Sequence, residues 1–290
     1  MTNKKYFFIG IGGIGMSSIA QYLYEKGNTI LGYDASENRS VKILVKKGVE
    51  VINKLSLERI PDYMKEEDVI VVYTPAIPDD NIFLKYFRSN GNNPIFKRSE
   101  ILGEISKQSK CIAVAGTHGK TTTTAIISHL FHSSGIHFKA FIGGIMKCFD
   151  SNYINTGNDY IIVEADEYDR SFLNLNANYA VITSIENDHL DIYGDFKSLT
   201  ESFQSFANNV KDVLITDAEI NLNKDFSFSI KNDSDYYVNN IDILENEIRF
   251  DLKTPNNFYS NISANIIGLH NLKNVLAALS IIDQIKEIDI

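Results

Sequence analysis

Cysteine is scarce in this chain of 290 residues, which has only Cys111 and Cys148. Both are expected to lie in apolar surroundings, with no metal-type spacing, which argues against a disulfide framework. Positive charge is also short. The 28 Lys and Arg against 37 Asp and Glu leave a net charge of −9. That balance argues against a nucleic-acid-binding surface and makes any phosphate recognition local. No segment is long and apolar enough to span a bilayer. Short-period repeats and low-complexity tracts are missing too. One stretch imitates a leader peptide, Lys4-Lys5 followed by residues 6–16 and Ser17-Ser18-Ile19-Ala20, but the glycines at 10, 12, 13 and 15 make a poor apolar helix. The expectation is a cytoplasmic protein that binds neither membrane nor nucleic acid, of oligomeric state the sequence does not give. What is present is ordinary for a soluble globular chain: 44% hydrophobic and 22% charged residues, at a length that allows about two domains.

The most informative stretch is Ala115-Gly116-Thr117-His118-Gly119-Lys120-Thr121-Thr122. It follows an apolar strand at 111–115 and opens a helix predicted over 122–132, the context that a phosphate-cradling loop requires. Glycines let backbone N–H groups turn onto phosphate oxygens, and the helix N-terminus adds a favourable dipole. Lys120 can reach β- and γ-phosphates, and the Thr121 hydroxyl can ligate Mg²⁺. The match to G-x-x-x-x-G-K-[ST] is incomplete, because its first glycine falls at Val114.

Strands and helices alternate through the first hundred residues. Strands are predicted at 6–9, 29–33, 49–52, 68–73 and 94–97, and helices at 16–26, 41–47 and 99–107. That alternation predicts a parallel, doubly wound α/β sheet, a Rossmann-like domain at 1–107. The pattern restarts at 108–290 as a second α/β domain of the phosphate-loop ATPase type. Its strands are expected at 111–115, 140–142, 160–164, 179–184 and 213–216, with a helix at 196–210. The Asn-rich stretch 221–261 suggests short antiparallel strands at 236–238 and 248–252, before a final helix at 270–285.

Gly10-Ile11-Gly12-Gly13-Ile14-Gly15 satisfies G-x-G-x-x-G between strand and helix, and Asp34 ends the second strand. A carboxylate there can hydrogen-bond a ribose. Physically this specifies a diphosphate on a helix N-terminus with a sugar nearby, a description that a dinucleotide and a UDP-sugar both meet. Glu164 ends an apolar strand beside the phosphate loop and is a candidate Mg²⁺ ligand, followed at once by Asp166, Glu167 and Asp169. His189, in the acidic run Asp188-His189-Leu190-Asp191, could complete a metal site or orient a phosphate. His129, His132 and His137 read as surface or packing residues.

Taken together these motifs resemble the Mur ligases, the ATP-dependent amino-acid-adding enzymes of peptidoglycan synthesis. The resemblance is carried by Phe8-Ile9-Gly10-Ile11-Gly12-Gly13-Ile14-Gly15-Met16, Tyr73-Thr74-Pro75-Ala76-Ile77-Pro78, Lys97-Arg98-Ser99-Glu100, the phosphate loop, Phe141-Ile142-Gly143-Gly144, Glu164-Ala165-Asp166-Glu167-Tyr168-Asp169, Asp188-His189-Leu190-Asp191 and Gly268-Leu269-His270-Asn271-Leu272-Lys273-Asn274. It implies that Gly116, Thr117, His118, Gly119, Lys120, Thr121 and Thr122 bind ATP, with Thr121, Glu164 and His189 on Mg²⁺. Lys120, Glu164 and His189 become the catalytic residues, and His270, Asn271 and Asn274 lie at the adenine and ribose. Gly12, Gly13 and Gly15, with Asp34, Thr74 and Ala76, would hold UDP-N-acetylmuramate. The implied reaction joins L-alanine to the lactyl carboxylate of that sugar through an acyl phosphate.

The family has three domains, and the chain stops just after the His-Asn-x-x-Asn helix. The expectation is that the amino-acid-binding third domain is missing, that ligation by the chain alone is poor or nil, and that Leu276, Leu279 and Ile282 have lost their cover. Two other readings stay open. A recycling member of the family attaches a murein tripeptide to the same sugar. Glu167-Tyr168-Asp169 leans that way, whereas Arg170-Ser171-Phe172-Leu173 and Asp191-Ile192-Tyr193-Gly194 favour the alanine reaction. A nicotinamide-dependent oxidoreductase would use the first glycine loop but has no role for the second.

Overall fold

A computed structural model describes residues 3–187, 193–231, 234–285 and 287–288. The strands Lys5–Ile9 (β1), Thr29–Tyr33 (β2), Glu50–Ile52 (β3), Ile70–Tyr73 (β4) and Ile95–Lys97 (β5) form one parallel sheet, in the order β3-β2-β1-β4-β5. Central β1 is covered on both faces, with Phe7, Phe8 and Ile9 fully buried, as a continuous apolar run in a parallel sheet should be. The helices of this part are Ile14–Glu25 (α1), Arg39–Lys46 (α2), Ile82–Asn90 (α3) and Arg98–Ser106 (α4). Helix α3 was not expected. Phe83, Leu84 and Phe87 pack its inner face, and the Phe7 ring lies 5.5 Å from Phe83 and 5.1 Å from Phe87 between centroids.

The second part holds Lys110–Ala115 (β6), Phe138–Met146 (β7), Ser151–Asn155 (β8), Tyr160–Glu164 (β9), Tyr179–Ile182 (β10), Val213–Asp217 (β11), Phe226–Ser229 (β12), Tyr236–Ile243 (β13), Ile248–Lys253 (β14) and Phe258–Ala264 (β15). Among the described residues its α-helices are Lys120–Ser133 (α5), Phe196–Asn208 (α6) and Leu269–Asp283 (α7). The sheet runs β15-β14-β13-β12-β11-β10-β6-β9, with β7 next. β6 is parallel to both neighbours, and β10 through β13 continue in parallel. The pairs β13-β14 and β14-β15 are antiparallel, so the Asn-rich stretch ends in a meander of longer strands than expected, while β12, within it, joins the parallel array.

By compactness the chain divides into one unit of Met1–Ile105 with Phe141–Ile154, and another of Ser106–Ala140 with Asn155–Ile290. Strand β7 therefore starts in the second unit, and the hairpin that follows clusters with the first. A buried polar network fastens that hairpin to α1. Gln21 donates to the Asn152 side-chain oxygen at 2.9 Å, and Asn152 donates to the Ile14 carbonyl at 2.6 Å and to Ser17 Oγ at 3.0 Å. Beside it the Tyr22 ring meets Phe141 and Tyr153 edgewise, and those two rings lie tilted on each other.

Two expectations need correction. Leu276, Leu279 and Ile282 are buried, not uncovered, because α7 packs between α5 and the strands β10 to β13. Cys111 is buried in β6, but Cys148 lies exposed beyond the β7 strand.

Candidate functional site

In the first unit the chain lays β1, β2 and β3 to one side and then returns to place β4 and β5 on the other. The crevice at the C-terminal ends of β1 and β4 is the switch point where open α/β sheets bind ligands. The glycine loop follows β1 there, and the turn closed by Ile77 N–H to the Thr74 carbonyl (2.9 Å) follows β4. Gly10 has φ of +85°, and a Cβ on it would meet Ile77 at 3.1 Å and Thr74 at 3.8 Å. Ala76 is exposed in the same turn.

Asp34 grips this loop. Its carboxylate accepts Gly12 N–H at 2.8 Å through one oxygen and, through the other, Ser36 N–H at 2.9 Å and Ser36 Oγ–H at 2.7 Å. A methyl group on Gly12 would lie 2.7 Å from that carboxylate. A cavity of about 420 Å³ opens beside Asp34, walled by Ser36, Val41, Lys42, Val51 and Asn53 among others. Gly13 starts α1, and no side chain caps it, so the first helical N–H groups point outward. The guanidinium of Arg98 lies over Gly15, at 2.8 Å from where a Cβ would be. A cation at a helix N-terminus opposes the helix dipole unless an anion sits between them. The sequence had shown Arg98 only as part of a motif. Asn38, which it did not single out, caps α2 through Val41 N–H (3.0 Å) and donates to the Gly12 carbonyl (3.0 Å).

In the second unit three adjacent strands converge. The phosphate loop follows β6, Glu164 ends β9, and residues 183–186 follow β10. Gly116 has φ of +125°, with Thr183 Oγ1 2.3 Å from its Cβ position. Thr117 N–H donates to the Ser184 carbonyl and His118 N–H to Ser184 Oγ, each at 3.0 Å. Those two amides anchor the loop. The amides of Gly119, Lys120 and Thr121, at the start of α5 where no helical bond uses them, remain for an anion. Thr122 follows, exposed, and the His118 imidazole lies 3.6 Å from the Glu186 carboxylate.

Lys120 and Thr121 turn to different acids. Thr121 Oγ–H donates to Glu164 at 3.2 Å, which juxtaposes a hydroxyl and a carboxylate, the hard oxygen donors that Mg²⁺ prefers. His189, the third expected ligand, lies outside the described residues, and among the described residues no group of three His, Cys, Asp or Glu could hold a metal. The Lys120 ammonium meets both oxygens of Glu167 at 2.9 Å. Glu167 is 1% exposed; burial raises its pKa, and Lys120 partly opposes that rise. Asn274 is nine-tenths buried and packs on Gly119, its side-chain oxygen 2.3 Å from the Gly119 Cβ position. His270 and Asn271 occupy the first turn of α7, His270 against Gly268 and Asn271 donating to the Ile267 carbonyl at 2.9 Å. Lys273, on the next turn, pairs with Asp217 at 2.8 Å and fixes α7 to the end of β11.

Residues 5–110 match the catalytic domain of the Mur ligase family and residues 114–282 its middle domain. The UDP-N-acetylmuramate–L-alanine ligase of Christiangramia forsetii is 43% identical over 96% of this chain and 62% of its own length. That of Porphyromonas gingivalis is 39% identical over 96% and 63%. The crystal structure of the Thermotoga maritima UDP-N-acetylmuramate–alanine ligase superposes with a TM-score of 0.87 at 30% identity, covering 97% of this chain and 65% of that one. A Neisseria ligase for a murein tripeptide shares the fold with a TM-score of 0.86, at 20% identity. The chain spans just over three-fifths of the length of the curated relatives it matches, 62% for the first of them. Both glycine loops fall within these matches, which removes the oxidoreductase reading: the chain belongs to the Mur ligase family.

Proposed function

We propose that this chain supplies the UDP-sugar-binding and ATP-binding parts of a ligase that joins L-alanine to the lactyl carboxylate of UDP-N-acetylmuramate. The observation that carries the reading is the divided pair Lys120–Glu167 and Thr121–Glu164 at the mouth of the phosphate loop. One arm supplies a cation for β- and γ-phosphates, and the other a pair of oxygens for Mg²⁺. The identity of 39–43% to alanine ligases supports the choice of amino acid.

A carboxylate is a poor electrophile, so it must first be activated. The lactyl carboxylate attacks the γ-phosphorus of ATP, ADP leaves, and an acyl phosphate forms. The ammonium of L-alanine loses one proton, the free amine attacks the acyl carbon, phosphate leaves, and loss of a second proton from nitrogen gives the amide, which keeps one N–H. Neither step needs a covalent bond to the protein. What the residues supply is position and charge. Lys120 neutralises phosphate charge, the amides at the α5 start hold phosphate oxygens, and Asn274 with His270 and Asn271 lines the nucleoside side of the loop. Bound Mg²⁺ would screen charge between the β- and γ-phosphates, held by Thr121, Glu164 and His189. On the first unit the α1 N-terminus and Arg98 hold the diphosphate, with Asp34 at the ribose and the adjoining cavity for the base. Isothermal titration with ATP and Mg²⁺ tests the second site. Lys120→Met is expected to weaken binding by about tenfold or more, the loss of one good charged contact; equal affinity in the two proteins contradicts the assignment.

A further inference from the structure

Lys120 is fully engaged before any nucleotide arrives. An ammonium has three protons to donate. Here they face the Gly116 carbonyl at 2.6 Å, the Thr117 carbonyl at 3.3 Å and the Glu167 carboxylate at 2.9 Å. A phosphate oxygen can reach this ammonium only by displacing one of those partners. The two carbonyls are neutral acceptors within the loop that Lys120 itself ends. Glu167 is the one full negative charge among these partners, and it lies outside that loop. Its own carbonyl accepts Tyr193 Oη–H at 2.6 Å and Arg170 N–H at 2.9 Å. Beyond it Asp169 and Arg170 both adopt the left-handed region, with φ of 53° and 55°, a conformation that non-glycine residues keep only when their surroundings impose it. Arg170 is held in turn over the Tyr193 ring, 5.3 Å from its centroid, and on Ser202 at 3.3 Å. Glu167 is thus held in place through its backbone and the residues that follow it.

We propose that Glu167 is a latch on Lys120, occupying the lysine charge that the nucleotide phosphates must win. The proposal rests on the reading that the loop binds ATP. Release of the lysine leaves a buried carboxylate without its cation, which is costly. The latch therefore opposes binding of any nucleotide that draws Lys120 away, and leaves a nucleotide without β- and γ-phosphates indifferent. Division of labour between the acids fits this role. Glu164 serves Thr121, Glu167 serves Lys120, and neither bond substitutes for the other.

The test is isothermal titration of ATP with Mg²⁺, and separately of AMP, into the full chain as wild type, Glu167→Gln, Lys120→Met and the double variant, each checked for folding by circular dichroism. The latch predicts that Glu167→Gln binds ATP about tenfold more tightly than wild type, leaves AMP unchanged, and has no effect in the Lys120→Met background. Unchanged or weaker ATP binding by a folded Glu167→Gln overturns the latch but leaves the ATP reading standing. So does a gain that persists without Lys120, which would mark a merely structural role. Failure of both wild type and Glu167→Gln to bind ATP overturns the ATP reading and the latch with it. Should Glu167→Gln not fold, Glu167→Asp, a methylene short of Lys120, is expected to tighten ATP by a smaller factor, and an affinity equal to wild type contradicts the proposal.

Discussion

Lys120 and Thr121 are sequence neighbours whose side chains bond to separate carboxylates, Glu167 and Glu164. Single side chains elsewhere carry equally definite consequences. Cys111 is fully buried in the centre of the sheet, where burial pushes its thiol up to about 12, while Cys148 is exposed. Reaction follows the exposed thiolate. Iodoacetamide at pH 8 should therefore label Cys148 and leave Cys111 unmodified until denaturant is added, as read by peptide mass spectrometry. Labelling of both at equal rates in the native protein contradicts the packing of β6. At this scale the sequence revealed the types of residue but not their partners. Gly116, Gly119, Lys120, Thr121 and Glu164 announced themselves by spacing. That Thr117 and His118 anchor the loop through Ser184 depends on a strand sixty residues later, and such a contact leaves no local trace. Glu167 stood out only as one acid among several, because nothing in the order of residues tells a buried carboxylate from a solvated one.

Helices and strands place these residues through their ends more than their middles. Asn38 is the clearest case, because one side chain both caps α2 and holds the Gly12 carbonyl. Asn38→Ala should cost about 1 kcal/mol in stability, the ordinary value of a lost N-cap, and should also weaken UDP-N-acetylmuramate through the loosened glycine loop. Urea denaturation and sugar titration of the same variant check this. A stability loss with unchanged sugar affinity would separate the cap from the loop. The elements most visible in sequence were the parallel strands β1, β2, β6 and β9, whose unbroken apolar runs reflect burial on both faces. Those least visible were β8, β12 and β15. β15 is mostly exposed and shows no sustained alternation, and Ser151–Asn155 has only Tyr153 and Ile154 as apolar residues, its Ser151 and Asn152 being buried through side-chain hydrogen bonds. Helix α3 was hidden for a different reason, since its nine residues follow a proline-rich turn and give too short a period to read.

Over the whole chain the two sheets repeat one device, a glycine loop at a switch point beside the first strand of each. Order along the sequence suggested both, and the strand orders β3-β2-β1-β4-β5 and β11-β10-β6-β9 agree with them. Residues 141–154, a hairpin begun in the second unit, cluster by packing with the first. The central claim is that one unit binds a UDP-sugar and the other ATP. Its most direct test is thermal unfolding of the chain with UDP-N-acetylmuramate, ATP–Mg²⁺ and NADH added separately. A ligand that binds only the native state at a hundredfold excess over its Kd contributes about 2.7 kcal/mol, enough to move the transition by several degrees. The account predicts stabilisation by the UDP-sugar and by ATP–Mg²⁺, loss of the ATP effect alone in Lys120→Met, and no effect of NADH. Stabilisation by NADH without a response to the UDP-sugar would contradict it.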